Sequence, residues 1–345
     1  MNSGKSVLFI CPKVAGFYKE IISELESRDY IVDYIFDKCS TNDPDFFHAK
    51  NYNCGGNAKE VVLKEYEQYW SQLLSSNNFN KKYDILLVVD GKMLHPYLFS
   101  TLRKRNPQVK FVNYLFDTSR GNYNFHKNAK YFDRIYSYDK YDCAKYNYVF
   151  LPIPWVRQNN IDEVNETIDL FGMGTYDSER YKIYTFVKDI AKQNGYSYFL
   201  KLYMDTIEYF PIKFVVGTVL KIKKYLSPRI YYSKTIVHKK MPSEVFIKKM
   251  NCSRVIVDSI NPYQDGLTAR CTWALGAEKK IITNNASIKE YDFYDPDQIF
   301  VIENYSEKTV MDLKNFIEAD FWMKEANRKM ISQFRLDNWV NILLS

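Results

Sequence analysis

Residues Asn261–Asn285, NPYQDGLTARCTWALGAEKKIITNN, place a glycine turn, a helix start and an arginine directly between two apolar strands. VIVDSI precedes the stretch and KKIIT lies near its end, and both have the apolar run of buried strands. Gly266 is predicted to open the helix, with Asp265 as its cap and Arg270 one turn in. Because the unpaired N–H groups of a helix start attract anions, the stretch predicts an anion site, most simply for nucleotide phosphates. An ordinary strand-to-helix connection is the alternative.

Bulk composition places the chain among large globular proteins. Its 345 residues exceed the size at which one hydrophobic core usually keeps growing, which predicts two domains. With 46% hydrophobic and 17% aromatic residues, the chain is far too apolar to be disordered. The sequence shows neither a run of about 20 apolar residues nor a secretory leader, so we expect a cytoplasmic protein.

The cysteine and histidine spacings give no sign of a metal site or a disulfide framework. The six cysteines contain no C-x-x-C pair, and the four histidines contain no H-E-x-x-H. We therefore interpret the cysteines as reduced thiols and expect neither a metal nor a cofactor. Walker-type phosphate loops and the G-x-S-x-G elbow do not occur, which removes the main support for P-loop proteins and serine hydrolases.

Strand and helix patterns alternate through the chain in two similar halves. In the first half, apolar strand patterns alternate with amphipathic helix patterns such as FYKEIISELESRD. A polar run from Arg157 to Glu166 predicts a linker, after which the pattern restarts with IDLFGMG. We therefore predict an α/β protein of two Rossmann-like, doubly wound domains, residues 1–155 and 156–325, that face each other across a cleft.

Two glycines and an arginine at the start of the second half add to the predicted anion site. Gly172 and Gly174 follow the apolar strand IDLF and precede a helix that contains Arg180. Glycine lets the backbone approach a ligand, although a plain tight turn is the alternative. With Gly266 and Arg270, two helix starts and two arginines would converge on a diphosphate and neutralise it without a metal. Polar atoms for a sugar would come from Ser259, Asn261 and Gln264, or these residues cap a loop.

The first half offers a candidate base and a candidate acceptor site. Asp90 in VVDGK and Asp117 in YLFDTSR stand at the ends of predicted strands. A carboxylate there can take the proton of a sugar hydroxyl, but each aspartate could equally cap a loop. Gly16, between the first strand and its helix, would let an acceptor approach the backbone.

A basic segment in the second half predicts contact with an anionic partner. Between Lys213 and Arg254 the only acidic residue is Glu244. If KFVVGTVLKIKKYL is helical, Lys221 and Lys224 lie on a different side from its apolar residues, which favours contact with an anionic bilayer. A core-packed helix with a solvated lysine face is the alternative.

The chain resembles bacterial GT-B glycosyltransferases of the lipopolysaccharide-core and capsule biosynthesis type, including RfaS-like proteins. The resemblance rests on NYLFDTSRGNYNF, on YFDRIYSYDKYDCAKYNYVFLPIPW and on QDGLTARCTWALGAEKKIITNNASIKEYDFYDP. It implies a C-terminal domain that binds a nucleotide-sugar donor, an N-terminal domain that binds the acceptor, and a last helix within 326–345 that crosses back to the N-terminal domain. It places Asp117 near the acceptor and the following residues at the donor: Gly174, Arg180, Gln264, Gly266, Leu267, Thr268 and Arg270.

One departure from the family leaves the stereochemistry open. Many retaining relatives carry two glutamates seven residues apart near the donor, and the residues around Trp273 offer no such pair. We expect metal-independent transfer of a sugar from a nucleotide-sugar donor to a glycan or lipid-linked glycan acceptor, with no nucleic-acid partner. A sugar-nucleotide epimerase of the same architecture and a non-catalytic, membrane-associated binding subunit are the rival hypotheses.

Overall fold

Two separate six-stranded sheets organise the chain, and every strand pairing in both is parallel. The computed structural model describes residues 4–13, 16–37, 57–91, 93–118, 123–156, 165–204, 230, 233–260 and 266–345. The chain divides into two compact units, one of Met1–Val156 with Gln333–Ser345 and the other of Arg157–Ser332. The predicted fold class of two doubly wound α/β units is confirmed.

The sheet of the first unit has the strand order β2-β1-β3-β4-β5-β6. Its strands are β1 Ser6–Cys11, β2 Ile31–Phe36, β3 Ile85–Val89, β4 Lys110–Leu115, β5 Arg134–Ser137 and β6 Val149–Phe150. The helices between them are α1 Phe17–Glu26, α2 Asn57–Ser75, α3 Pro96–Arg105, α4 Tyr123–Asn128 and α5 Lys140–Tyr146. All five residues of β3 are buried, as the apolar run ILLVV requires of a central parallel strand covered on both faces.

The sheet of the second unit has the order β12-β11-β10-β7-β8-β9. Its strands are β7 Ile168–Thr175, β8 Tyr198–Tyr203, β9 Ile236–Val237, β10 Ser253–Val257, β11 Lys280–Thr283 and β12 Ile299–Val301. Its helices are α6 Ser178–Asn194, α7 Ser243–Asn251, α8 Ala269–Gly276, α9 Glu307–Glu318 and α10 Glu325–Ser332. The strand order reverses between β7 and β10, and a doubly wound sheet binds ligands outside the carboxyl ends of its strands at this point.

The last helix, α11 Leu336–Leu344, packs within the first unit. Trp339 is fully buried, and its ring meets those of Phe17 and Tyr114 edge-on, with centroids 6.4 and 4.7 Å away. The Tyr136 hydroxyl donates to the carbonyl of Ile342 at 2.7 Å. The segment 326–345 is divided, because α10 stays with the second unit and the return to the first unit begins at Gln333.

No helix in the described part of the chain is both long enough and apolar enough to cross a membrane.

Candidate functional site

The arginine of α6 connects the two strands at which the second sheet reverses its order. Arg180 Nη1 donates to the carbonyl of Thr175, the last residue of β7, at 2.6 Å. Its Nη2 donates to the carbonyl of Ser259, just beyond β10, at 3.0 Å. The guanidinium therefore lies at the carboxyl ends of both strands, at the ligand-binding edge of the sheet.

A second guanidinium reaches the same edge from α8. Arg270 Nη1 donates to Oδ1 of Asp258 at 2.6 Å, and the Thr268 hydroxyl donates to the same oxygen at 2.8 Å. Asp258 is almost completely buried. The carboxylate therefore joins the end of β10 to the start of α8 and fixes the direction of the arginine.

Gly174 in β7 lies against both arginines. A Cβ atom added at this glycine would be 3.0 Å from Nη2 of Arg270 and 3.1 Å from Nη1 of Arg180. The two guanidiniums therefore lie side by side next to the backbone of Gly174, where no side chain intervenes. Phosphate oxygens bind such groups through charge-assisted hydrogen bonds.

The two arginines have different partners. Arg270 pairs with the buried carboxylate of Asp258, whereas Arg180 donates to two backbone carbonyl groups. Burial and the neighbouring Arg270 lower the pKa of Arg180. Burial also opposes the charge of Arg270, but Tyr184 and Asp258 outweigh it and raise the pKa of Arg270. Within the described residues, Nε of Arg180 and Nε of Arg270 are buried without a hydrogen-bond partner. The two neighbouring guanidiniums can bind an anion through charge-assisted hydrogen bonds.

The helix start differs from the one predicted from the sequence. α8 begins at Ala269 rather than at Gly266, and Arg270 is its second residue instead of lying one turn in. Thr268 is the cap, and its hydroxyl accepts from the backbone N–H of Cys271 at 3.1 Å. A threonine hydroxyl satisfies a helix start as an aspartate does, and the sequence pattern did not distinguish them. Gly266 and Leu267 are buried before the helix, and the Gly266 carbonyl accepts from Nδ2 of Asn285 at 3.3 Å.

The other predicted helix start is occupied by a carboxylate. Asp177 caps α6 and accepts from the backbone N–H groups of Glu179 and Arg180 at 2.9 and 3.4 Å. A capped start with a negative charge does not attract a second anion. The expectation of two converging helix starts is therefore wrong for α6, which contributes the Arg180 side chain instead.

Gly172 has a packing role rather than a place beside the arginines. A Cβ atom there would be 2.9 Å from the Tyr184 hydroxyl and 2.9 Å from the carbonyl oxygen of Val257. Tyr184 is buried and donates to that carbonyl at 3.3 Å. The absence of a side chain at Gly172 makes room for this tyrosine between α6 and the sheet.

Alanine substitutions should separate the two glycines. We expect Gly172→Ala to lower the free energy of unfolding by about 1–3 kcal/mol, since the added methyl group meets a backbone oxygen that cannot move aside. Gly174→Ala meets only atoms of two arginine side chains, so we expect near-normal stability and weaker binding of a phosphate anion. Thermal unfolding of both variants with and without inorganic pyrophosphate measures the difference. Equal destabilisation by the two substitutions would contradict this assignment.

The loop residues predicted to bind a sugar are described only in part. Ser259 is fully buried, and its hydroxyl donates to the carbonyl of Ile260 at 3.4 Å. Asn284 accepts from the backbone N–H of Ile260 at 3.1 Å and so holds the start of this loop against the end of β11. Asn261 and Gln264 lie outside the described residues, as does Asp265.

In the first unit, Asp90 holds a loop. It is 2% exposed, and its Oδ1 accepts from the backbone N–H groups of Phe116 and Asp117 at 2.8 and 3.1 Å. Asp37, which sequence reasoning missed, holds the loop after β3. Its carboxylate accepts from the backbone N–H groups of Gly91 and Met93 at 3.0 and 3.2 Å. The loop-capping alternative therefore describes Asp90, while Asp117 is exposed just beyond the end of β4.

Gly16 is the residue before α1 and has a left-handed backbone, with φ at 77°. Only glycine adopts this conformation at little cost. Among the described atoms, none lies within 4 Å of a Cβ added at Gly16. The backbone is therefore open to approach at this position.

Two further expectations concern the basic segment and metals. Lys221 and Lys224 lie outside the described residues. Across the described ranges, no group of three or more His, Cys, Asp or Glu side chains could hold a metal ion.

Comparison with known proteins identifies the fold. No family model matches the chain, and no curated protein is significantly similar in sequence. Sucrose-phosphate synthase of Thermosynechococcus elongatus has a TM-score of 0.57 at 10% identity, over 99% of this chain and 96% of that one. An α-glucosyltransferase in complex with UDP and a 13-mer DNA containing an HMU base scores 0.54 at 14% identity, over 99% and 100%. A protein proposed to be a UDP-N-acetylglucosamine 2-epimerase of Listeria monocytogenes scores 0.54 at 11%, over 99% and 95%.

At these identities the likeness concerns the fold. The chain has the two-unit α/β architecture of the GT-B fold.

Proposed function

We propose that this protein is a glycosyltransferase that uses a nucleotide-sugar donor. The observation that carries the proposal is the pair of partly buried guanidiniums beside Gly174, which reach the carboxyl ends of β7 and β10. They lie at the point of the second sheet where doubly wound folds bind nucleotides. The similar α-glucosyltransferase is in complex with UDP, which supports a diphosphate as the anion.

The proposed chemistry follows from these charges. In the transfer, an acceptor hydroxyl oxygen forms a bond to the anomeric carbon of the sugar, while the bond from that carbon to the diphosphate oxygen breaks. The diphosphate leaves with the electron pair, and a base takes the hydroxyl proton. Arg180 and Arg270 would stabilise the charge that develops on the leaving diphosphate, so the reaction needs no metal for that purpose.

Asp117 is the proposed base. A base must be able to reach the acceptor proton, and Asp117 is exposed at the carboxyl end of β4. Asp90 is the less suitable carboxylate, because two backbone N–H groups already donate to its Oδ1. Gly16 is the proposed point of close approach for the acceptor.

For the acceptor we propose a bacterial surface glycan of the lipopolysaccharide or capsule type, either free or lipid-linked. The motifs that resemble such transferases support it, in particular NYLFDTSRGNYNF and the stretch after Gln264. We place the reaction in the cytoplasm at the inner face of the cell membrane, with the basic segment around Lys221 and Lys224 as a membrane contact.

Nucleotide binding is the first test. We expect a nucleoside diphosphate, added at 100 times its dissociation constant, to stabilise the protein by about 2.7 kcal/mol. Thermal unfolding should be measured with UDP, GDP, ADP, CDP, TDP and CMP. The shift should disappear in Arg180→Met. This variant is preferred to one at Arg270, because removal of Arg180 leaves two backbone carbonyl groups without that partner, whereas removal of Arg270 leaves a buried carboxylate without its cation. A panel without any stabilising nucleotide would refute the donor site.

An epimerase is the second candidate, because one structure of the same fold is a proposed UDP-N-acetylglucosamine 2-epimerase. An epimerase converts the sugar nucleotide without an acceptor and keeps the sugar–diphosphate product intact. The protein should be incubated with sugar-linked forms of the stabilising nucleotide in the absence of acceptor, and the products separated by chromatography. This experiment distinguishes an epimerase from a transferase. Conversion to an isomeric sugar nucleotide in the absence of acceptor would favour the epimerase over transfer.

A further inference from the structure

A groove of about 660 Å³ runs along α3 within the first unit. Its walls are α3 with the residue before it, the start of β4, residues 130–133 before β5, and Glu67 of α2. We call it the α3 groove. Its volume is that of a site for a small molecule, about 300–1,000 Å³. Five of its lining residues are aromatic, and most of the others are charged or polar.

The aromatic side chains of the α3 groove form one connected group around Phe99. The Phe99 ring stacks on Tyr131 with centroids 4.7 Å apart, and it meets Phe111 and Phe132 edge-on at 5.4 and 5.3 Å. The guanidinium carbon of Arg103 lies 4.4 Å from the centroid of the Phe111 ring. Phe99 and Phe111 are buried, whereas Tyr131 and Phe132 are partly exposed and line the groove. Partly exposed rings of this kind can pack against the C–H groups of a ligand.

The charged groups in the described lining balance one another. Arg103 donates to both carboxylate oxygens of Asp133 at 2.8 and 2.9 Å. The other two charged side chains are Lys130, whose Nζ lies 5.2 Å from the centroid of the Tyr131 ring, and Glu67. Two cations therefore accompany two carboxylates. Such a lining favours an uncharged ligand that both donates and accepts hydrogen bonds.

His95 lines the groove as a neutral ring with its proton on Nε2. Its Nδ1 accepts from the backbone N–H of Tyr97 at 3.2 Å, so Nδ1 carries no hydrogen. Burial lowers the pKa of His95, while the nearby carboxylate of Glu67 has the smaller and opposite effect. The neutral ring keeps the charges of the groove in balance and adds a donor to them.

We propose that the α3 groove binds a sugar ring of a glycan. A pyranose has a face of C–H groups, which packs on the partly exposed rings of Tyr131 and Phe132. Its hydroxyl groups donate and accept around the rim, where Glu67, Lys130 and His95 offer both kinds of partner. The ligand as a whole is uncharged, as the balanced lining requires.

The floor of the groove is separate from the proposed acceptor position at Asp117. Phe111 is the second residue of β4 and Asp133 directly precedes β5, so both lie at the amino ends of their strands. Asp117 lies beyond the carboxyl end of β4, and the rise from Phe111 to Leu115 alone is about 13 Å. The bound sugar would therefore be a unit other than the one that reacts. Binding itself is independent of transfer, but this role as a remote unit of the acceptor rests on the proposed function.

Two other classes of ligand fit the groove less well. A hydrocarbon chain would remove Glu67, Lys130 and the Arg103–Asp133 pair from water and would offer no hydrogen bonds in return. A polyanion would meet the carboxylate of Glu67 at the rim, and the one lining arginine is already paired with Asp133.

Saturation-transfer NMR on the full chain tests the proposal. The probes are methyl β-D-galactopyranoside, methyl β-D-glucopyranoside and methyl N-acetyl-β-D-glucosaminide. At least one of them should bind with a dissociation constant on the order of 1 mM, as is usual for a ligand of this size. Saturation should be strongest at the ring protons of one face, because that face packs on the aromatic side chains.

Two variants act on the groove in different ways. Ser100 is exposed on α3 and lines the groove, so Ser100→Trp should fill it and abolish binding without opening the core. Tyr131→Ala removes a ring against which the sugar packs and should weaken binding about two- to tenfold.

Matched controls make the same changes elsewhere in the first unit. Ser23→Trp places the large side chain at an exposed position of α1, and Tyr141→Ala removes a tyrosine that is 44% exposed on α5. Both controls should bind the probe as the parent does. The thermal shift with nucleotide should persist in all four variants, so a failure of this proposal is distinct from a failure of the donor site.

Four results would overturn the proposal. None of the three glycosides could bind, or binding could persist unchanged in Ser100→Trp. Binding that Asp117→Asn abolishes and Ser100→Trp does not would assign the sugar to the acceptor position. Uridine or adenosine that binds in preference to all three glycosides, and is lost in Ser100→Trp, would identify a nucleoside as the ligand.

Discussion

Loss of the Arg270 guanidinium should lower the rate of sugar transfer by about 10²–10³-fold, the usual effect of removing one group that stabilises charge in a transition state. Arg270 lies 3.0 Å from the Cβ position of Gly174 and is fixed by Asp258. The Arg270 guanidinium is therefore already oriented before the donor binds, and it does not have to rearrange when the diphosphate leaves. The measurement is kcat/KM with sugar-linked forms of the nucleotide that the thermal-shift panel identifies.

The choice of variant matters, because Arg270 also neutralises a buried carboxylate. Arg270→Ala alone leaves the buried carboxylate of Asp258 without its cation, which commonly lowers the free energy of unfolding by about 3–5 kcal/mol. A loss of activity in this variant could then result from unfolding rather than from the missing charge. Arg270→Met combined with Asp258→Asn removes both charges and should remain folded. Arg180→Met should give a similar loss of rate by itself. Normal turnover in both folded variants would eliminate the leaving-group role.

Trp339→Ala should lower the free energy of unfolding of the first unit by about 3–5 kcal/mol, the range for truncation of a buried tryptophan. The ring is fully buried, and it contacts Phe17 of α1 and Tyr114 of β4. Its removal leaves a cavity between the last helix and the sheet. Urea unfolding followed by circular dichroism measures the effect, and calorimetry separates the transitions of the two units.

The chain provides a matched control for this substitution. Trp322 is 88% exposed, so Trp322→Ala should change stability by no more than about 0.5 kcal/mol. If the two tryptophan variants unfold at the same urea concentration, α11 does not stabilise the first unit as described.

Periodicity and apolar runs predicted most of the strands, but not their order in the sheets or the short β9. ILLVV became the fully buried β3, and IDLFGMG and VIVDSI became neighbouring strands of the second sheet. The convergence of Arg180, Arg270 and Gly174 was likewise predicted, because both arginines follow strand ends that meet at one edge. Parallel strands bring their carboxyl ends together whatever the loops between them do.

The details that sequence reasoning missed depend on contacts between distant residues. Asp258 ends an apolar strand and looks like a loop residue, yet it accepts from Thr268 and Arg270. Gly172 and Gly174 are two residues apart and therefore lie on the same face of β7, so only the tertiary positions of Tyr184 and Arg270 give them different neighbours. Asp90 has a left-handed backbone, with φ at 63°, and its carboxylate accepts from the backbone N–H of Phe116 just beyond β4. No local sequence pattern predicts this contact.

The discontinuity of the first unit affects the order in which the protein can be made. During synthesis, residues 1–156 leave the ribosome first, but Trp339 and the rest of α11 emerge only after the whole of Arg157–Ser332. The second unit is contiguous and can therefore fold on the nascent chain while the α1 and β4 surfaces still await their last helix. Of the two units, the one whose translation starts earlier is the last to be completed, and termination before Gln333 would leave its apolar contact surface for the last helix uncovered.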